Sequence, residues 1–237
     1  MSVEDRMISE YIEYARDVAK KFGERLIAGN IPTPFFKYGG YIIMNPFRVH
    51  RTVIALKVDW REEIFHAVLH EHLHNKFGEL YPQEKLATDH AKAIIRLLFA
   101  DTHRGMIIST IPVDLYIDWI LVKNVYPEHY ESHTRFVSMG SEFAYNNVAR
   151  IIARLVVSEV KPEVLGEIRV YYTALLAFLA YQSNRVDDGR KVIKSNFPDE
   201  YVKLYDEVVG ILDSIKDVGT LVDAYTRYID LLIGFLE

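Results

Sequence analysis

Apolar residues recur at helical spacing from the first turn of the chain. Ile8, Ile12, Ala15, Val18, Ala19 and Phe22 fall near one face, which predicts an amphipathic helix over residues 3 to about 28. Gly29-Asn30-Ile31-Pro32 ends it. Between 34 and 58 the period changes to that of strands: Tyr41-Ile42-Ile43-Met44 follows a Gly39-Gly40 break, and Thr52-Val53-Ile54-Ala55-Leu56-Lys57-Val58 follows later. Asp59-Trp60-Arg61-Glu62 has the form of a capping box, so a helix is expected from Trp60 to about Gly78. Pro82 and Pro112 each open a further helix, the second running from Val113 to Tyr126 and closed by Pro127. Beyond Gly140 the helical period covers about 141–159, 163–184, 198–216 and 218–236. Lys161-Pro162, Asp187-Asp188-Gly189 and Asn196-Phe197-Pro198 separate these segments.

The expected fold class is α+β, mostly α. A zincin-like core with a small β-hairpin or sheet and one motif-bearing helix would occupy 1–135, and an all-helical region 136–237, with one continuous domain as the alternative division. Composition narrows the functional classes. A net charge of -5 leaves no excess of Lys and Arg for a phosphate-binding surface, so nucleic acid is not an expected partner. No run approaches the roughly 18 consecutive apolar residues of a membrane span. With no cysteine, disulfides and thiolate sites are excluded, and any metal must be held by His and carboxylates. These features suit a cytoplasmic protein.

All nine histidines lie between His50 and His133, so candidate chemistry belongs to the first half. Its centre is His70-Glu71-His72-Leu73-His74, an HExxH motif. At about 100° per residue, His66, His70 and His74 form one stripe at about -40°, 0° and +40°. His70 and His74 can therefore turn their imidazoles to one ion, with Glu71 in reach of a metal-activated water as general base. His72 points to the opposite side. Phe65, Val68, Leu69 and Leu73 make the neighbouring face apolar, so the metal pair is expected at the edge of a buried surface.

A zinc site needs a third protein ligand. Phe77 and Leu80 stand where a metzincin would have Gly and His, which excludes that arrangement. Two carboxylates remain because each interrupts an apolar helix face, a costly position unless paired or coordinated. Asp118, the sole charge within Leu115–Val122, ranks first; Asp89 is second and its neighbour His90 third. His66 could orient a ligand, and Tyr126, His129, Tyr130 and His133 could supply a transition-state donor. The later tyrosines, among them Tyr171, Tyr172, Tyr201, Tyr205, Tyr225 and Tyr228, read as core and boundary residues.

The runs Tyr41–Pro46, Ile64–His74 and Ile117–Ile120 together resemble the metallopeptidase domain found N-terminal to von Willebrand A-like domains in bacteria and archaea. In that family a hairpin ending in Asn-Pro precedes the HExxH helix, and a later helix carries an Ala-x-Asp-x-x-Val-Asn type motif. The resemblance, over residues 30–126, implies His70 and His74 as Zn²⁺ ligands, Glu71 as base and Asp118 as third ligand. The spacing departs from the family: Asn124 follows Asp118 by six residues, not four, and no DxSxS motif follows, so no von Willebrand A-like part is expected.

The function expected on these grounds is zinc-dependent hydrolysis of peptide bonds, with a peptide or protein as substrate. The strand region at 36–58 could receive an extended peptide by β-addition. The alternative is a catalytically inactive zincin-like metal-binding or protein-interaction module. Two His and a carboxylate would also suit non-heme iron, although the adjacent Glu favours hydrolysis.

Overall fold

The structure is a computed structural model, and it describes residues 3–27, 37–38, 41–42, 66, 69, 70, 73, 74, 76, 102–129, 131–155 and 162–236. Its contacts divide the chain into two units. The first comprises Met1–Pro82 and Ile117–Gly140, the second Gln83–Tyr116 and Ser141–Glu237.

The α+β expectation is overturned, because the described residues are helical nearly throughout. Extended pairing among them is confined to β1 (Lys37–Tyr38) and β2 (Tyr41–Ile42), antiparallel with Lys37 opposite Ile42 and Tyr38 opposite Tyr41. Two residues a side cannot form a layer that shields a core. Among the described residues the architecture is therefore mostly all-α, with helices burying apolar faces against helices. The runs 43–58 and 82–100, with Asp89 and His90, lie outside the described residues, as do Glu71 and His72.

In the first unit, helix α1 (Val3–Ile27) buries Tyr11, Ala15, Val18 and Ala19, the i, i+4, i+7, i+8 set of one face. The expected stripe is thus rotated slightly towards Tyr11, since Ile8 and Ile12 are only half-buried. The motif segment is helical at His66, Leu69, His70, Leu73, His74 and Lys76, with Leu69 and Leu73 fully buried. Tyr11 Oη donates to the Leu73 carbonyl at 2.9 Å, and Lys76 Nζ lies 3.5 Å from Glu10 and over the Tyr14 ring. These contacts tie the motif to α1.

After α2 (Thr102–Ser109), helix α3 runs Ile111–Ile120. The expected stop at Pro127 is not observed. Proline lacks an N–H and crowds the carbonyl four residues earlier, so a regular α-helix cannot pass through it cheaply. The backbone widens instead into a π turn, Leu121–Val125, in which the Tyr126 N–H reaches back five residues to the Leu121 carbonyl. It then resumes as α4 (Tyr126–His129) and α5 (Glu131–Leu155). Helix α1 packs on the π turn, where Arg16 Nε donates to the Asn124 carbonyl at 3.2 Å.

The second unit is built around α6 (Pro162–Gln182), which packs against α2, α7 (Val186–Asn196), α8 (Asp199–Asp213) and α9 (Val218–Leu236). Neighbours on several sides explain why α6 is apolar around much of its circumference. Its stretch Val164–Gln182 is also long and apolar enough, by length and composition, to cross a membrane. A core helix passes the same test. The break after α6 comes earlier than Asp187-Asp188-Gly189. Asn184, at φ 56, ends the helix, with Arg185 N bonded to the Ala180 carbonyl and Asn184 N to that of Tyr181, a Schellman closure. The two aspartates then fall in the first turn of α7, where acidic groups oppose the helix dipole favourably. Asp217 and Thr220 cap α9 reciprocally: Asp217 Oδ1 accepts from Thr220 N and Thr220 Oγ1 accepts from Asp217 N.

Tyrosines supply much of the buried polar chemistry, as their sequence positions suggest. Tyr225 Oη donates to the Ser109 carbonyl at 2.6 Å, Tyr228 Oη to that of Ile108 at 2.9 Å, and Tyr205 Oη to that of Val186 at 2.9 Å.

Candidate metal centre

His66, His70 and His74 follow one another along the motif segment as the helical period requires. Ring centroids are 5.8 Å apart for the first pair and 4.8 Å for the second. The Nε2 atoms of His70 and His74 face each other at 3.1 Å. Two nitrogens held about 2.0–2.1 Å from one tetrahedral ion would be about 3.3 Å apart, so the pair is spaced to share a zinc ion. All three rings are only partly exposed, and Leu69 and Leu73 beneath them are fully buried.

Asp118 comes to this stripe from α3, 48 residues later. Its Oδ1 lies 2.9 Å from His70 Nδ1 and 3.5 Å from His66 Nε2, with its side chain 14% exposed. His66, His70 and Asp118 each place one ligand atom within 4.8 Å of the others. The carboxylate therefore stands beside His70, on the ring nitrogen that does not face His74. Ile117 and Ile120 on α3, and Leu121 at the start of the π turn, are buried on either side of Asp118. The charge is placed in this apolar stretch because the histidines meet it there.

Tyr126 completes the row. Its hydroxyl lies 2.6 Å from His66 Nδ1, and the residue is fully buried. Burial, reinforced by the negative charge of Asp118, pushes its phenol pKa well above 10, so it is a neutral phenol at any physiological pH. The π turn is what brings it here. Eight residues of regular α-helix would rotate Tyr126 about 80° away from Asp118, whereas five of them wound at roughly 4.4 per turn return it to within about 10°.

Of the residues expected from sequence, His70, His74 and Asp118 are brought together. Glu71 and Asp89 lie outside the described residues. His66 is a hydrogen-bonded neighbour of the site. Tyr126 opens helix α4 and meets His66. The side chains of His129 and His133, and Tyr130 entirely, lie outside the described residues. Asp114 was passed over in the sequence: it sits one turn before Asp118 on α3 and accepts from Thr110 Oγ1 at 2.8 Å. Its i, i+4 spacing to Asp118 was the signal that both carboxylates share a helix face.

The chain matches no protein family, no curated protein and no solved structure.

Proposed function

We propose that the chain is a zinc-dependent hydrolase of peptide bonds, centred on His70 and His74, with Asp118 as the carboxylate of the centre and Glu71 as its base. The observation that carries this reading is the 3.1 Å approach of the two Nε2 atoms within an HExxH motif. A chance motif on a solvated helix face has no reason to turn both rings inward over buried leucines, or to meet a carboxylate 48 residues away. Two imidazole nitrogens at this spacing, with a carboxylate beside one of them, suit Zn²⁺.

Zinc held there would supply Lewis acidity to a peptide carbonyl and to water. Glu71, adjacent to His70 in sequence, would take the proton from water and hand it to the leaving amine. The partly buried setting of the histidines limits bulk water at the reacting atoms. Substrate capture by β-addition is not part of this proposal, since the described residues offer no sheet edge beyond a two-residue pairing.

The test uses protein purified without added metal. Wild-type chain should carry close to one zinc and cleave a generic substrate such as casein; Glu71→Gln should keep the zinc and lose the cleavage. Zinc below about 0.2 equivalents per chain would refute the centre. Cleavage unaffected by Glu71→Gln would refute the mechanism. Bound zinc with no cleavage by the wild type would assign the chain to the alternative, a metal-binding module.

A further inference from the structure

Tyr126, His66, Asp118, His70 and His74 form a continuous row, and the carboxylate in it orders the ring beside it. A carboxylate accepts and does not donate. His70 Nδ1, 2.9 Å from Asp118 Oδ1, must therefore carry the ring's hydrogen and donate it. A neutral imidazole has only one N–H, so His70 Nε2 is left with its lone pair, aimed at His74. Further out, His66 Nε2 lies 3.5 Å from the same carboxylate oxygen and His66 Nδ1 lies 2.6 Å from Tyr126 Oη. An Nε2–H tautomer of His66, facing the negative charge of Asp118, would leave Nδ1 to accept the tyrosine's hydrogen.

We propose that Asp118 is a positioning residue, not an ion ligand: it holds His70 as the Nδ1–H tautomer with Nε2 directed at the metal position. His66 and Tyr126 in turn hold Asp118. This deepens the metal-centre reading above and rests on it for its purpose, though not for its geometry.

Three features support the assignment. The carboxylate oxygen is at hydrogen-bond distance from Nδ1, the nitrogen remote from the His74 contact, so it cannot share with that contact the ion between the two Nε2 atoms without leaving His70. Metal-bound histidines characteristically give their second N–H to a carboxylate or carbonyl, which fixes the ring and strengthens the ligand. Finally, the π turn places Tyr126 on the Asp118 face, and such turns recur at functional sites. Among the buried tyrosines, Tyr11, Tyr205, Tyr225 and Tyr228 donate to main-chain carbonyls, whereas Tyr126 meets a histidine side chain.

The row also predicts how the histidines respond to metal. In the metal-free chain His70 Nε2 is an acceptor, so His74 Nε2 must carry the hydrogen between them. With zinc held between the two Nε2 atoms, His74 would carry its hydrogen on Nδ1, while His70 would keep its own there.

The experiment is a long-range ¹H–¹⁵N correlation spectrum of the histidine side chains, assigned with single His→Gln variants, with and without Zn²⁺. Metal-free wild type should show His70 as Nδ1–H and His66 as Nε2–H. Finding His70 as Nε2–H would overturn the proposal, and this result needs neither metal nor activity. In Tyr126→Phe, His66 should exchange between tautomers while His70 stays Nδ1–H; an unchanged His66 would remove Tyr126 from the row. Zinc affinity, read by chelator competition, gives a second decision. Asn keeps a carbonyl that can accept from Nδ1–H but is a poor zinc ligand. Asp118→Ala should therefore weaken zinc about 10–100-fold, and Asp118→Asn by less than about tenfold. Equal losses on the order of 1,000-fold in both variants would make Asp118 a ligand and overturn the proposal. A wild type that binds no zinc at all would defeat the metal-centre reading alone, with the tautomers still deciding the row.

Discussion

Replacing Tyr228 by Phe tests the helical packing of the second unit at a single atom. Pro112 has no N–H, so the Ile108 carbonyl, four residues before it, has no α-helical donor. Tyr228 Oη, from α9, supplies one at 2.9 Å, at a site where both Tyr228 and Ile108 are fully buried. Phenylalanine keeps the ring and its packing, and removes only the donor. The carbonyl is then left in an apolar setting where water cannot replace the hydroxyl, which costs about 1–3 kcal/mol. For a chain of this length each kcal/mol lowers the melting temperature by about 2–4 °C, so Tyr228→Phe should melt about 2–12 °C below wild type. Tyr181→Phe is the control, since its hydroxyl bonds the exposed Asp213 at 3.1 Å and its loss should change stability by less than about 0.5 kcal/mol. Urea unfolding followed by circular dichroism measures both. A Tyr228→Phe variant within about 0.3 kcal/mol of wild type would refute the account of Pro112 and its orphaned carbonyl, as would an equal loss in Tyr181→Phe.

Other consequences are equally direct. Burial raises the phenol pKa of Tyr126, Tyr205 and Tyr228 above the ordinary value of about 10, so the folded state keeps protons that the unfolded chain releases. Their stabilisation is fully present below about pH 10 and is lost as pH rises through the folded-state values; a urea midpoint unchanged between about pH 9 and 11.5 would contradict this. Gly189 faces Tyr205 Oη and Ala180 Cβ so closely that a methyl group there would displace the tyrosine from Val186, and Gly189→Ala should cost about 1–3 kcal/mol despite its better helix propensity. A stabilised Gly189→Ala in the same unfolding assay would show that α7 and α8 have room to part. Zn²⁺ at about 100 times its dissociation constant should stabilise the wild type by about 2.7 kcal/mol, and His74→Ala should abolish the shift in a thermal melt. An equal shift in that variant would place the metal elsewhere.

Much of the local structure was legible in the chain because it depends on neighbours in sequence. The 3.6-residue period marked α1, α6, α8, α9 and much of α5, though not α7 (Val186–Asn196), and the i, i+4 spacing of His66, His70 and His74 put them on one stripe before any contact was known. The isolated charge of Asp118 in an apolar run also signalled an unusual partner. Other features depend on what meets what across long separations. Of the strand expectation at 41–58, Tyr41–Ile42 alone lies among the described residues and does pair with Lys37–Tyr38, but that pairing is two residues long and the described residues otherwise make a mostly all-α structure. Pro127 read as a stop because its missing N–H is a local fact. The missing N–H does not say that the chain widens into a π turn and continues, a segment on which α1 packs and where Arg16 bonds the Asn124 carbonyl. That turn rotates Tyr126 towards Asp118 and His66, a placement no regular helical period contains. The sequence by itself determined which side chains could hold a metal and on which helix face they stand. Only the tertiary structure decided which nitrogen of His70 meets Asp118, because hydrogen bonds spanning 48 and 60 residues are set by the packing of helices and not by their individual periods.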